Sequence, residues 1–160
     1  AAHEKLIYNS LVIKTGNQDM QTLLTPVPVN LSPEEKQACL DNMPLLEKSG
    51  FEIDDYGMSS LAVRSAPVYL DEEDIPYVLS DMAQKLLSGI KPGSPILDEL
   101  LKSIACKAAV KGGSFSGINE MQSLAEKVLK LPDVRNCPHG RPVAVSLSRR
   151  SLEKQFKRVL

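Results

Sequence analysis

Residues 51–65, FEIDDYGMSSLAVRS, have the pattern of a β-hairpin. Apolar and polar side chains alternate along Phe51–Asp54 and again along Ser60–Ser65, as expected for strands that bury one face. Between these runs lies Asp55-Tyr56-Gly57, and both Asp and Gly favour turns. The stretch therefore predicts two antiparallel strands joined by a short turn.

The segment before the hairpin predicts a strand followed by a helix. Residues 21–29, QTLLTPVPV, should be extended because each proline pushes its predecessor out of the α region. Ser32-Pro33-Glu34-Glu35 supplies an N-cap, a proline at the first helical position and a capping box. The helix is expected to run to about Lys48 and to stop at Gly50.

Residues 71–88 predict another helix, with an acidic front, an apolar-periodic rear and Pro76 in its early turns. Strand, helix, strand, strand and helix between residues 22 and 88 make a self-contained α+β unit. The rest of the chain predicts helices and one further short strand. The helices are expected at residues 3–14, 95–110, 118–130 and 148–158, and the strand at residues 143–147.

Composition is that of an ordinary globular domain, with 160 residues, 42% hydrophobic and 24% charged. No apolar run approaches the roughly 18 residues that would span a bilayer. Cys39, Cys106 and Cys137 are an odd, scattered set, which favours a reducing compartment over a disulfide framework. Cys39 is expected to be a core residue. Because the chain opens at Ala1 without Met, we expect it to be a fragment of a longer protein.

Charge is distributed unevenly, although the net charge is only −1. Residues 41–81 hold ten acidic and two basic side chains, which we interpret as solvated helix faces. Residues 141–158 hold six basic side chains and one acidic one. This basic tail is either another solvated face or a surface that approaches phosphates.

Cys137-Pro138-His139-Gly140-Arg141-Pro142 is the string richest in chemistry. In an extended segment, Cys137 and His139 would point to the same side and could bind one transition-metal ion. Arg141 adds a permanent cation suited to a phosphate. Two ligands alone do not make a metal site, so the string by itself leaves a structural role open.

The same string resembles the signature of the MutL family of DNA mismatch-repair proteins, in the C-terminal domain of its endonuclease-bearing members. Ala1-Ala2-His3-Glu4-Lys5 looks like the second half of the family's Asp-Gln-His-Ala-x-x-Glu motif. The resemblance makes Glu4 a metal ligand essential for DNA nicking, whereas His3 falls on a variable position. The Asp, Gln and His of the motif are absent from this chain, so its site is expected to be incomplete.

Two more strings resemble family motifs that line the nuclease site. Ala105-Cys106-Lys107 is similar to an Ala-Cys-Lys/Arg motif, although a cysteine among small helical residues is more commonly core packing. Phe156-Lys157-Arg158 matches a string near the family's C-terminus. Without the resemblance, it would be an anchored aromatic followed by two solvated cations.

Gln21–Pro26 has two interpretations. As a proline-containing extended peptide, it predicts an edge strand, in which adjacent Leu23 and Leu24 point to opposite sides. It also resembles the family's Gln-x-Leu-Leu-x-Pro sliding-clamp motif. That resemblance assigns clamp binding to Gln21, Leu23, Leu24 and Pro26.

The resemblance implies an α+β fold of two subdomains. Residues 1–21 and 104–160 would form a dimerising, metal-holding subdomain, and residues 22–103 an external regulatory one. The implied function is that of a metal-dependent, clamp-stimulated DNA-nicking endonuclease domain, with zinc and manganese as cofactors. The implied partners are DNA, a second copy of the chain, the sliding clamp and the mismatch-recognition protein MutS, with no membrane. The implied location is cytoplasmic and nucleoid-associated.

The site residues implied by the resemblance fall into three overlapping groups. The catalytic group is Glu4, Cys106, Lys107, Arg141 and Lys157. The metal ligands are Glu4, Cys137 and His139. The DNA-binding group is Arg141, Lys157 and Arg158.

Two rival functions remain open at the level of sequence. One is a non-catalytic, zinc-stabilised dimerisation and partner-binding module, which would fit the missing motif residues. The other is a thiol enzyme with Cys137 as nucleophile and His139 as its base. The thiol enzyme is disfavoured because the sequence reveals neither a third group to orient the histidine nor an oxyanion donor.

Overall fold

A computed structural model describes residues 1–89, 95–110, 117–131 and 135–157. Its three-stranded antiparallel sheet contains β1 (Met20–Asn30), β2 (Glu52–Asp55) and β3 (Ser60–Pro67), in the order β1-β3-β2. The helices are α1 (Ala2–Ile13), α2 (Pro33–Asp41), α3 (Met43–Lys48), α4 (Ile75–Ser88), α5 (Ile96–Ala108), α6 (Ile118–Lys130) and α7 (Arg149–Gln155). The α+β prediction and the hairpin of β2 and β3 are confirmed.

Two helix predictions differ in detail from the structure. The single helix expected up to Lys48 is wrong, because it ends at Asp41 and restarts at Met43 as α3. Pro44 explains the break, since it has no N–H to donate to the preceding turn and its ring crowds that turn. The segment before α4 begins as a 3₁₀ turn, Glu72–Asp74, and Pro76 then sits in the first turn of α4, where proline is tolerated.

The strand predicted at residues 143–147 is absent from the described structure. Only Pro142 makes an isolated bridge, to Asn136, and the side chains of Val145 and Leu147 are exposed. Alternation alone was misleading here, because a strand also requires a neighbouring strand with which to pair. The terminal helix is shorter than expected and is capped by the side chain of Ser148.

Apart from Ala62 and Cys137, the buried apolar side chains of the described residues form one continuous cluster. The sheet contributes Leu61 and Val63, and α4 contributes Leu79 and Met82. Helices α1 and α5 pack against each other and extend the same cluster. Their fully or almost fully buried contribution consists of Ile7, Leu11, Leu100, Leu101, Ile104 and Ala105. Since both predicted subdomains supply this core, their separation at residues 21 and 104 stays a prediction.

β1 is an edge strand with a wide bulge. Thr22 pairs with Ser65 and Val27 with Val63, so the four residues 23–26 lie opposite Arg64 alone. Leu23 is buried at 7% exposure, whereas Leu24 is fully exposed. The predictions of an extended edge segment and of one outward leucine are confirmed.

None of the described helices is both long enough and apolar enough to cross a membrane.

Candidate metal centre

Helix α1 carries Glu4 on its buried face. The buried residues of α1 are Glu4, Ile7 and Leu11, and this i, i+3, i+7 spacing puts them on one side of the helix. Ile7 and Leu11 belong to the apolar core shared with α5. Packing of α1 therefore draws a carboxylate inward one turn ahead of the apolar residues, to 8% exposure.

The loop that carries Cys137 and His139 is a tight turn, so the extended segment expected from the sequence is wrong. The Gly140 N–H donates to the Cys137 carbonyl at 2.9 Å, and the Cys137 N–H donates to the Arg141 carbonyl at 2.8 Å. Gly140 adopts φ 84, which glycine reaches without a Cβ penalty. Proline at the second position of the turn and glycine at the fourth are ordinary turn preferences.

The turn brings Cys137 and His139 to Glu4. One ligand atom of each of the three side chains lies within 4.8 Å of the other two. His139 Nδ1 is 2.7 Å from Glu4 Oε1. Among the described residues, these three side chains form the one group of at least three potential metal ligands.

The donor set fits a divalent transition metal. Thiolate, imidazole and carboxylate bind zinc at about 2.0–2.3 Å, which separates tetrahedral ligands by roughly 3.5 Å. The observed separations, 2.7 Å between His139 and Glu4 and at most 4.8 Å for the set, bracket that spacing. Cys137 and Glu4 are buried at 4% and 8% exposure, and a buried carboxylate requires a compensating partner. The three residues predicted as ligands are therefore brought together in a form able to hold a metal.

The Glu4–His139 contact also bears on the thiol-enzyme alternative. A carboxylate beside the imidazole is the orienting third group that sequence reasoning did not find. The sulfur of Cys137, however, belongs to a residue that is only 4% exposed. The arrangement thus orients the histidine but offers little access to the thiol.

Cys106 and Lys107 lie at the end of α5. The ammonium of Lys107 pairs with Asp74 at 2.9 Å and lies 4.9 Å from the Tyr77 ring centroid. The hydrogen bond to Asp74 raises the pKa of Lys107. Cys106 is exposed. In this structure, Lys107 is directed toward the segment before α4, rather than making a contact with Glu4, Cys137 or His139.

The cations predicted to bind DNA lie after the turn formed by residues 137–140, which is called the ligand turn below. Arg141 is exposed, and its backbone carbonyl closes the turn by accepting from Cys137. Lys157 is exposed just after α7 with φ 52. Neither side chain forms an ion pair within the described part of the chain. Arg158 lies outside the described residues.

Gln21 is engaged within its own chain. Its side-chain amide donates to the backbone carbonyls of Leu70, at 2.5 Å, and Pro67, at 3.4 Å. Of the four predicted clamp-binding residues, Leu24 and Pro26 are exposed, Leu23 is buried and Gln21 is half-buried. The outward part of the string is thus its second leucine and its proline.

A cleft of about 670 Å³ beside the ligand turn was missed by sequence reasoning. It lies between α1, α5 and the turn, and its charged lining residues are Lys5, Asp98, Lys102 and Arg135. Because Lys5 directly follows Glu4 in the sequence, its position near the candidate ligands could have been predicted. The other residues could not be assigned to the cleft before the pairing of α1 with α5 was known.

A polar network fixes one wall of this cleft. The Tyr8 hydroxyl donates to the Asp98 carboxylate, and burial together with this bond raises the pKa of Tyr8 to about 12. Burial alone would raise the pKa of Asp98, but the hydrogen bonds from Lys102 and Tyr8 outweigh it and lower the pKa. Lys102 lies 2.7 Å from Asp98 and 2.9 Å from Glu99. Although burial opposes its charge, these two bonds raise the pKa of Lys102.

Comparison with known proteins identifies the family. The profile described as MutL C terminal dimerisation domain matches residues 1–114. The DNA mismatch repair protein MutL of Heliobacterium modesticaldum is 33% identical over 162 residues, covering 99% of this chain and 24% of that protein. MutL of Methanocorpusculum labreanum is 32% identical over 159 residues, covering 99% of this chain and 27% of that protein. This chain therefore spans about a quarter of the length of these relatives, and it belongs to the family of MutL C-terminal dimerisation domains.

Proposed function

We propose that this chain is the metal-dependent, DNA-nicking endonuclease domain of a MutL homodimer in mismatch repair. The observation that carries the proposal is the meeting of Glu4 with Cys137 and His139, more than 130 residues away along the chain. Zinc and manganese are the proposed metals, and DNA is the proposed substrate.

A divalent metal held by three protein ligands would fit a catalytic site, whereas a fourth protein ligand would fit a structural one. Structural zinc sites close with four protein ligands, whereas catalytic sites use three and keep one position open. Glu4, Cys137 and His139 are three within the described residues. When bound there, a divalent metal would supply a Lewis acid for a phosphodiester oxygen.

The chain's own residues would prepare the reaction. Glu4 and Cys137 are held by α1 and by the hydrogen-bonded turn, so the ligand set is largely pre-organised. Arg141 follows the turn on an exposed surface. Together with Lys157 and Arg158 of the basic tail, it would offset phosphate charge as the bond breaks. This binding should be salt-sensitive and independent of base sequence.

Nicking of supercoiled plasmid in the presence of Mn²⁺ tests the proposal. The assay should compare this chain with the same chain extended by Asp-Gln-His before Ala1, which restores the family motif. We expect the extended chain to produce open circles and Glu4→Gln in that chain to produce none. A matched control, Glu47→Gln, changes an exposed carboxylate on α3 and should nick normally. Absence of nicking in the extended chain would contradict the proposal.

Homodimer formation is proposed through α6. All 13 residues of this helix are exposed or half-buried, although its apolar residues recur at helical spacing. Among them, Ile118 and Leu129 are 77% and 82% exposed. A long apolar stripe that finds no cover within the described part of its own chain is typical of an interface between subunits. The proposed occupant is the same surface of a second copy.

Weak binding of the sliding clamp is proposed at the bulge of β1. Leu24 and Pro26 project from an edge strand and could enter a hydrophobic groove of a partner. Gln21 would first have to leave the carbonyls of Leu70 and Pro67, which lowers the affinity. Leu24→Ala should abolish clamp-stimulated nicking in the full-length protein. Unchanged stimulation would indicate that the segment is an ordinary edge strand with no role in clamp binding.

The second candidate is a non-catalytic dimerisation and partner-binding module in which zinc only stabilises the fold. The uncovered stripe of α6 favours an assembly role without requiring chemistry. In either role, the mismatch-recognition protein MutS is a proposed partner, and the cytoplasmic nucleoid is the proposed location. The module would bind zinc and dimerise, yet the motif-extended chain would not nick plasmid with any divalent metal.

A further inference from the structure

The cleft beside the metal centre has an excess of positive charge. Three of its lining side chains, Lys5, Lys102 and Arg135, are cations, whereas Asp98 is its one carboxylate. Lys102 is already neutralised by Asp98 and Glu99. Within the described ranges, neither Lys5 nor Arg135 forms an ion pair with a carboxylate. Although the charge of Lys5 also lowers the pKa of Asp98, neither cation is held in an ion pair there, so both can face an anion that enters from solvent.

The geometry connects this cleft to the metal ligands. Lys5 directly follows Glu4 on α1, and Cys137 lines the cleft as well as belonging to the ligand cluster. Arg135 stands at the start of the same turn, where its carbonyl accepts from the Val143 N–H at 2.8 Å. An anion bound between the two cations would thus lie next to whatever occupies the metal centre.

The cleft is an open depression of about 670 Å³ on the surface, a form that an extended strand could cross. The Lys5 ammonium lies 4.9 Å from the centroid of the Tyr8 ring, a cation–π contact. The Tyr8 hydroxyl is in turn anchored to Asp98. Lys5 is therefore held at the cleft wall rather than extended into solvent.

We propose that this cleft binds the phosphate backbone of the DNA strand next to the bond at the metal centre, with Lys5 and Arg135 as the contacting cations. The inference rests on the proposed nuclease function, because it takes the metal centre as the place of the phosphodiester. It adds a subsite built from α1 and the ligand turn, separate from the basic tail. The proposed ligand is a polyanionic strand, because the lining holds three cations and one carboxylate.

Fluorescence anisotropy of a labelled duplex oligonucleotide over a series of salt concentrations tests the subsite. EDTA is included, so that the result does not depend on metal or on nicking. Lys5→Ala with Arg135→Ala should lower the slope of log affinity against log salt by about 2, roughly one for each phosphate contact. Lys48→Ala with Lys130→Ala is the matched control, because it removes two exposed cations that do not line the cleft. Its slope should equal that of the wild type.

A neutral backbone provides the second measurement. With a methylphosphonate oligonucleotide, the wild type and the Lys5→Ala, Arg135→Ala variant should bind equally. Circular dichroism verifies that each variant is folded. An unchanged slope in a folded cleft variant, or an equal fall in the control, would overturn the subsite. Either result would leave the plasmid-nicking test of the proposed function unaffected, so the two failures are distinguishable.

Discussion

Glu4 and His139 meet at 2.7 Å between Oε1 and Nδ1, although 135 positions separate them in the chain. One belongs to the first helix and the other to a turn that follows α6. Their contact therefore fixes the ligand turn against α1. It also makes the geometry of the candidate metal centre dependent on the packing of α1 against the core.

Loss of the ligand turn should remove bound metal. In Cys137→Ser with His139→Ala, two of the three ligands disappear, so zinc content measured by elemental analysis should fall to background. Cys106→Ser is the matched control, since it removes an exposed thiol outside the cluster and should retain zinc. Equal zinc in the wild type and the double variant would contradict the assignment.

The two adjacent leucines of β1 should differ sharply in their effect on stability. Leu23→Ala removes a buried side chain and should lower the free energy of unfolding by about 2–5 kcal/mol. Leu24→Ala removes a fully exposed one and should change it by less than about 0.5 kcal/mol. Urea denaturation of both variants measures the difference. Similar destabilisation by the two substitutions would contradict the register of β1.

Charges placed on the apolar stripe of α6 should convert the dimer into a monomer. Ile118→Glu with Leu129→Glu puts two carboxylates where the proposed partner would exclude water. Ser123→Glu adds a charge on the opposite side of the same helix and serves as the control. Light scattering after size exclusion gives the molar mass. A double variant that remains dimeric would place the interface elsewhere.

Acid should weaken the contact between α1 and α5 through Asp98. Its pKa in the folded chain lies below the ordinary value of 3.8, so the unfolded chain binds more protons in that range. The stabilisation from Asp98 is therefore complete above pH 3.8 and is lost as the pH falls through the folded pKa. In denaturation experiments, the advantage of wild type over Asp98→Asn should be constant at neutral and mildly acidic pH and should shrink as the pH falls below 3.8. An advantage that stays constant with pH would rule out this linkage.

The three cysteines should react with iodoacetamide in a defined order. Burial, assisted by the charge of Glu35, raises the pKa of Cys39 to about 12, so its thiol should react only on unfolding. Cys106 is exposed and should react first. Cys137 should be protected by bound zinc and become reactive after chelation. Rapid alkylation of Cys137 in metal-loaded protein, measured by mass spectrometry, would support the thiol-enzyme alternative instead.

Local patterns predicted most of the secondary structure, because the information they use is local. The capping box of Ser32 and Glu35 is present, and the hairpin pairs as expected. Errors arose where a single residue or a missing neighbour overrode periodicity. Pro44 broke a helix, and residues 143–147 had no strand with which to pair. The broken helix and the missing strand depend on residues that a local pattern of alternating polarity does not take into account.

The identity of the candidate ligand residues could be predicted from the sequence, but their geometry could not. Cys137 and His139 were found from their motif, yet the expected extended geometry was wrong because Gly140 closes a turn. The cleft formed by Lys5, Tyr8 and Arg135 depends on tertiary packing. No pattern in the sequence predicts that residues 5 and 135 line the same cleft.

The bulge in β1 has a consequence for how any protein could recognise this edge. An exposed strand edge invites a foreign strand to extend the sheet, with the attendant risk of aggregation. Pro26 and Pro28 each lack an N–H, and the unpaired run 23–26 is out of register with a regular ladder. Strand addition is thereby disfavoured along residues 23–28. A partner must instead provide its own hydrophobic groove and accept individual side chains such as Leu24.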